Sequence, residues 1–356
     1  MSIRLGSVPA IVVSSPQAAE IFLKTHDVVF ASKPKFQVIQ SIYNGKMGIE
    51  FTEYGPYWHN LRKFCNQQLF TALKIESFAP SRKKVLTHFV ESLKEAAAVK
   101  EVVNISKKVG NLNVEMILNM ILGPVKKYEE FNLKELIEEL LYMVRVFNLA
   151  DFVPFLGAFD LQRLKARTRI LAITIDMIVA SLDTSTAPFE WALSTLIKHP
   201  RVMLKLQKEL ERIIGKRMVE ENDLPKLEYL DMVVKETLRL YPVAPMLIPR
   251  ESMEDIVIDG CYIPKKSRVI VNIWAIGRDP NAWSNNVEEL FPKRFINRNI
   301  ELHEHDFELI PFGSSRRVCP GRKLTLITVK LILAQLVHCF DWELPGGMSP
   351  NEFGYD

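Results

Sequence analysis

Cys319 lies in the string Pro311-Phe312-Gly313-Ser314-Ser315-Arg316-Arg317-Val318-Cys319-Pro320-Gly321, directly ahead of an apolar stretch that reads as a helix. A sulfur just before a helix N-terminus sits at the positive end of the peptide dipoles. Arg316, Arg317 and Arg322 add cationic charge nearby. Both effects favour thiolate over thiol. Glycine and proline hold the backbone close and expose amides to the sulfur. An anionic sulfur with a fixed hydrogen-bond shell suits an axial ligand to haem iron. On these residues alone two other readings stay open: a buried structural cysteine, and a nucleophile. No histidine lies beside the cysteine to act as its base, although His303 and His305 share the loop.

Three further spacings could carry chemistry. Glu236 and Arg239, in Lys235-Glu236-Thr237-Leu238-Arg239, fall three apart on one helix face and can pair. Met232, Val233, Val234, Leu238 and Leu240 flank them, which argues for burial, and buried charges need partners. Arg294, in Phe291-Pro292-Lys293-Arg294-Phe295, is an available third charge. In Ala180-Ser181-Leu182-Asp183-Thr184-Ser185, the Thr184 hydroxyl can bond back to the Ala180 carbonyl and open a groove. Pro188 has no N–H for the Thr184 carbonyl, so a kink is expected there. Trp58 and Arg62 share a helix face at i,i+4. Taken singly, each has a plain reading as a solvated pair, a polar interruption or a surface arginine.

In this order the strings resemble the cytochrome P-450 haem-thiolate family. Phe312, Arg317, Cys319 and Gly321 match its F-x-x-G-x-R-x-C-x-G loop; Glu236 and Arg239 match E-x-x-R; Trp58 and Arg62 match W-x-x-x-R; and the segment 180–185 is similar to A-G-x-D-T-T. Ser315 and Ser181 stand where the family has glycine, Lys293 where it has glutamate, and Thr325 where it has a small residue. A positive φ at Ser315 would strain the loop.

The resemblance implies a haem-dependent monooxygenase. Cys319 would ligate the iron and push electron density toward O–O cleavage. Asp183 and Thr184 would relay protons. Trp58, Arg62, Arg250 and Arg317 would meet the haem propionates, with Phe312 and Gly321 in the cofactor loop. Glu236, Arg239 and Arg294 would form a structural triad tying the helix to the cysteine loop. The implied cofactor is haem b. NADPH would act indirectly, through a flavoprotein reductase docked near Arg316, Arg322 and Lys323. The implied substrates are O2 and a small apolar molecule of plant specialised metabolism. Plant microsomal members are the most similar, in Phe51-Thr52-Glu53-Tyr54-Gly55-Pro56-Tyr57-Trp58 and in Asp151-Phe152-Val153-Pro154-Phe155-Leu156. They imply the cytosolic face of the endoplasmic reticulum.

The elements that must position these groups are mostly helical. The chain has 356 residues, 48% hydrophobic and 25% charged, which excludes disordered and low-complexity classes. A net charge of +4, evenly spread, argues against nucleic acid. Four cysteines without paired spacing argue against a disulfide scaffold and for a reducing compartment. Apolar runs at 170–182 and 324–340 carry charges and read as buried helices. A short strand at 10–13 leads to a helix capped by Ser14, Ser15 and Pro16. Helices are expected at about 58–100, 111–122, 133–147, 167–197 and 202–214, then from Asp223 to before Pro242, and at 323–340. Between them lie strands at 256–258 and 268–273, a turn at Asp259-Gly260, and a long loop over 280–318.

The expected fold is therefore mainly α with a small β region, the haem-thiolate fold in a single truncated domain over 1–356. Against the family, the N-terminal anchor and hinge, a helical segment and the last hairpin are expected to be missing. The missing helices place an internal deletion near 165–168. They would roof the pocket, so the distal side should be wetter. The alternative reading is a haem-binding but catalytically inactive truncated remnant or splice form. Lacking the anchor, the chain is expected to be cytosolic or peripheral as an alternative to the endoplasmic reticulum, with residual membrane contact through an apolar surface.

Overall fold

The computed structural model describes residues 1–36, 48–122, 172–284, 286–298, 300, 302 and 306–349; the side chains of 121–122, 172–179 and 181–183 lie outside that description. The expected helix at 133–147, the plant-like string at 151–156 and the expected deletion near 165–168 also fall outside it.

Among the described residues, six short strands form two sheets: β1 (Ser2–Leu5), β2 (Val8–Val13), β3 (Arg250–Glu251), β4 (Ile256–Ile258), β5 (Cys261–Ile263) and β6 (Arg268–Val271). The larger sheet runs β1-β2-β6-β3. β2 lies parallel to β6, with Ala10 opposite Arg268, and β3 is antiparallel to β6, with Arg250 opposite Val269. The first residues of the chain thus support the strand that carries Arg250. β4 and β5 form a hairpin turned by Asp259 (φ 49°) and Gly260 (φ 77°). Two consecutive left-handed residues give the twist that a tight hairpin needs.

The helices are α1 (Pro16–Glu20), continued by a π turn over Ile21–Thr25, then α2 (Pro56–Gln68), α3 (Ala72–Ser77), α4 (Ala79–Ala98), α5 (Ile105–Leu122), α6 (Ala172–Lys198), α7 (Pro200–Ile214), α8 (Glu228–Leu240), α9 (Ile273–Ile276), α10 (Pro280–Trp283) and α11 (Arg322–Cys339). Ser15 caps α1 by accepting from the Ala18 N–H at 3.3 Å. α7 shows how local sequence sets an element. Pro200 opens it, Leu206, Leu210 and Ile214 bury one stripe at spacing four, and Gly215 (φ 69°) ends it. The orphan N–H groups opening α8 are met from a neighbouring helix: Glu209 accepts from Tyr229 at 2.8 Å and Leu230 at 3.0 Å.

The main core lies among α4, α5, α6, α7, α8 and α11, with Leu86, Leu112, Leu193, Leu210, Leu230 and Leu333 at its centre. A second core joins the larger sheet to α1 through Val13, Leu23, Phe30 and Val269, and takes in Phe307 and Ile310 from the approach to the cysteine loop. α6, α11 and the Arg250 strand are therefore all anchored independently of any ligand. The expected long loop is broken by α10 and by two 3₁₀ turns, Pro292–Phe295 and Ser315–Arg317. Among the described residues no helix is long and apolar enough to cross a membrane.

Candidate active site

Two left-handed residues shape the cysteine loop: Gly313 (φ 72°) and Ser315 (φ 57°). The Val318 N–H donates to the Ser315 carbonyl at 3.0 Å, and the Cys319 N–H to the Phe312 carbonyl at 2.9 Å. Ser315 thus holds the strained conformation that glycine adopts freely. Cys319 is set just ahead of α11, with the Gly321 N–H donating to its sulfur.

One sequence expectation is reversed here. Burial pushes the Cys319 thiol up, Glu50 adds to that push, and together they outweigh the downward pull of the Gly321 N–H, Arg62 and Arg322. A metal cation on the sulfur inverts the balance, because a coordinating thiol is deprotonated outright.

Over the sulfur lies a cavity of about 1060 Å³, its open mouth included. Four cations line it, Lys33, Arg62, Arg250 and Arg317, against one carboxylate, Glu50. Arg250 is buried; its Nη2 donates to the Ser314 carbonyl at 2.7 Å, while Nη1 has no partner among the described residues. Burial lowers Arg250 to about 10. Burial, then repulsion from Arg250 and Arg62, lowers Arg317 to about 9. Lys33 donates to the Ile248 carbonyl at 2.7 Å and is held well below the usual lysine range by burial, Arg250 and Arg317. Such crowding of buried positive charge calls for an anion.

These residues fit a haem. Among the described residues no cluster of three His, Cys, Asp or Glu side chains could hold a bare metal ion. The excess of cations and the spare Arg250 N–H suit the two carboxylates of the haem ring.

The other expected partners are placed less simply. Trp58 is buried, lines the cavity, and gives its Nε1–H to the Ile49 carbonyl at 3.1 Å. The Arg317 guanidinium lies 4.4 Å over the Trp58 ring and donates to the carbonyls of Ala31 (2.7 Å), Thr52 (2.6 Å) and Ile49 (3.3 Å). Arg317 thus also staples the cysteine loop to the segment before α2. Arg62 and Phe312 line the cavity. The Thr184 hydroxyl donates to the Ala180 carbonyl at 2.6 Å, and both residues, with Pro188, border the cavity. Pro188 is accommodated within the continuous α6. The side chains of Asp183 and Ser181 lie outside the described residues.

Glu236, Arg239 and Arg294 meet in the core. Arg239 binds Glu236 through Nε (2.8 Å) and Nη2 (2.9 Å), and Arg294 Nε reaches Glu236 Oε1 at 3.0 Å. The remaining donors hold backbone: Arg239 the carbonyls of Gly277 (2.6 Å) and Val287 (2.8 Å), Arg294 those of Trp283 (2.7 Å) and Asn286 (2.8 Å). The cluster pins segment 277–294 to α8. Gly277 is required at this junction, since a Cβ there would lie 2.6 Å from the Arg239 carbonyl oxygen.

Sequence reasoning missed Lys33, Glu50 and Leu247. Lys33 and Glu50 sit in no charged motif and face the cavity only through tertiary packing. Leu247 lines it with a left-handed backbone (φ 44°), and no glycine or asparagine signals that turn.

This mainly helical fold, with Cys319 at the foot of a cation-lined cavity, is that of a known family. The cytochrome P450 family model matches residues 1–169 and 166–354. The chain belongs to the cytochrome P450 family of monooxygenases. It is 48% identical over 408 residues to cytochrome P450 CYP736A12 of Panax ginseng, covering 99% of this chain and 81% of the relative. It is 34% identical to flavonoid 3'-monooxygenase CYP75B137 of Crocosmia x crocosmiiflora, covering 98% and 80%. A zebra fish cytochrome P450 solved with progesterone shares the fold at TM-score 0.74 and 22% identity, covering 97% of this chain and 90% of that one.

Proposed function

We propose that this protein is a haem-dependent monooxygenase that inserts one oxygen atom from O2 into a small apolar plant metabolite. NADPH-cytochrome reductase supplies the electrons. The observation that carries this reading is the sulfur of Cys319 beneath a cavity ringed by Lys33, Arg62, Arg250 and Arg317. When bound, haem supplies the activation of dioxygen. Cys319 holds the iron, and Arg250, with Lys33 beside it, holds the ring carboxylates. The Thr184 hydroxyl keeps a proton at the groove beside Ala180, and Asp183 connects that groove to bulk proton donors. Val243, Ala244, Leu247 and Ile248 give the cavity an apolar wall, which selects an apolar substrate. The flavonoid oxidation named for one relative places aromatic plant phenolics among the substrates to try first. Arg316 and Lys323 are exposed beside the loop and are candidate contacts for the reductase. We propose the cytosolic face of the endoplasmic reticulum as its location, a reading supported by the likeness to plant members of the family.

A second reading, a haem binder without turnover, is supported by the family match. That match falls into two pieces meeting at 166–169, and an alignment of 408 residues exceeds the 356 of the chain. Both favour an internal deletion near 165–168. The test is incubation of the haem-loaded protein with reductase, NADPH, ¹⁸O2 and a panel of small phenolics and terpenoids. One ¹⁸O atom per product supports the monooxygenase. Haem loading with NADPH consumed only to peroxide supports the second reading.

A further inference from the structure

A separate recess of about 970 Å³, its open mouth included, lies between α3, α4, the 3₁₀ turn Glu221–Lys226 and α11. It shares no lining residue with the cavity over Cys319. Its walls are largely apolar: Leu86, Val219 and Leu331 are buried core residues, and Met218 and Ala79 are partly buried beside them.

Both sides of the recess are held in place without a ligand. On one side the Val219 N–H donates to the buried Gln335 Oε1 at 2.9 Å. Arg217 Nη1 and Nη2 grip Asp223 at 2.6 Å each, and Asp223 accepts the Glu220 N–H at 3.0 Å. Two ion pairs then tie this turn to α4: Arg82 Nε and Nη2 to Glu221 at 2.8 Å each, and Lys83 Nζ to Glu220 at 2.7 Å. A preformed apolar recess with a few fixed polar groups is how small-molecule sites are built.

The charges say what such a molecule carries. Three carboxylates line the recess, Glu76, Glu220 and Glu221, against the single ammonium of Lys83. Lys83 is spent on Glu220, and Glu221 is balanced by Arg82. Glu76 is exposed and has no ion-pair partner among the described residues. The uncompensated charge is therefore negative, and it stands beside an apolar wall.

We propose that this recess binds a small amphiphilic cation, a protonated or quaternary amine on an aromatic or aliphatic body. The ammonium pairs with Glu76, and the body packs on Leu86, Met218 and Leu331. The cavity over Cys319, ringed by cations, repels the same ligand, so the two sites select opposite charge. The inference does not depend on turnover.

The test titrates the haem-loaded full chain with trimethyl(2-phenylethyl)ammonium by calorimetry while the Soret band is recorded. This probe has no lone pair with which to ligate iron. Saturable binding with an unmoved Soret band is the expected result. Glu76→Gln should weaken it about threefold, the worth of one exposed ion pair. The anion 3-phenylpropanoate should bind more weakly than the cation. Ala79→Phe, which fills the recess, should abolish binding with the unfolding midpoint kept; if that midpoint falls, Glu76→Gln and the anion decide alone. No saturable binding, equal affinity in Glu76→Gln, an anion bound as tightly, or binding that moves the Soret band overturns the proposal.

Discussion

Ser315 shows what one atom group costs in this loop. Its left-handed backbone (φ 57°) is imposed by the Val318 and Cys319 hydrogen bonds around it. A side chain in that conformation costs about 1–2 kcal/mol. Ser315→Gly should therefore stabilise the protein by roughly 1 kcal/mol in denaturant unfolding. No gain, or a loss, would show that the Ser315 hydroxyl contributes more than the backbone strain removes. The cations make a second residue-scale prediction. In the haem-free chain Arg317 (about 9), Arg250 (about 10) and Lys33 all lie below their ordinary values. The unfolded chain then binds more protons between those folded values and the usual ones. Stability of the haem-free protein gains across that alkaline window, and the full penalty is present below about 9. The haem carboxylates relieve the penalty. Haem also displaces the Cys319 proton, which strengthens binding as pH rises, so the carboxylate contribution is read as the gap in unfolding midpoint between haem and haem dimethyl ester, which lacks the carboxylates; that gap should be largest at pH 7.5 and smaller at pH 10. A gap that is constant or grows with pH contradicts the cation–carboxylate pairing.

At the scale of elements, the Glu236 cluster replaces regular structure as the organiser of segment 277–294. One carboxylate joins Arg239 and Arg294 and also accepts the Phe291 N–H at 2.8 Å. Removing its charge leaves two buried guanidinium groups unbalanced, which costs about 3–5 kcal/mol. Glu236→Gln should lower stability by that amount in chemical unfolding and reduce haem uptake with it, whereas a loss below about 1 kcal/mol would mean the cluster is not the anchor. Much of the architecture at this scale was legible. α7 followed from Pro200, the stripe Leu206, Leu210 and Ile214, and Gly215; the β4–β5 turn followed from Asp259-Gly260. β1 was not, because the alternation of Ser2-Ile3-Arg4-Leu5 covers only four residues and is fixed as a strand by pairing with β2. The merged helix expected over 58–100 divides into α2, α3 and α4 at Phe70 and Phe78, where Thr71 caps the second piece by accepting from the Lys74 N–H at 3.2 Å.

At the scale of the molecule, distant segments converge on one sulfur: the turn before α2, the α6 groove at Thr184, the β3 arginine and the loop before α11. The Cys319 string and the order of the motifs carried that convergence in the sequence. Its electrostatics were not legible there. Burial of Cys319, and the packing that brings Lys33 to the cavity wall and lowers it, arise only when residues hundreds of positions apart pack together. The most direct test of the whole is the Soret band of the reduced, haem-loaded protein under carbon monoxide. A strongly red-shifted band in the wild type, lost in Cys319→Ser while haem stays bound, is the result expected of thiolate ligation. A wild-type band without that shift, or one unchanged in Cys319→Ser, would contradict Cys319 as the iron ligand.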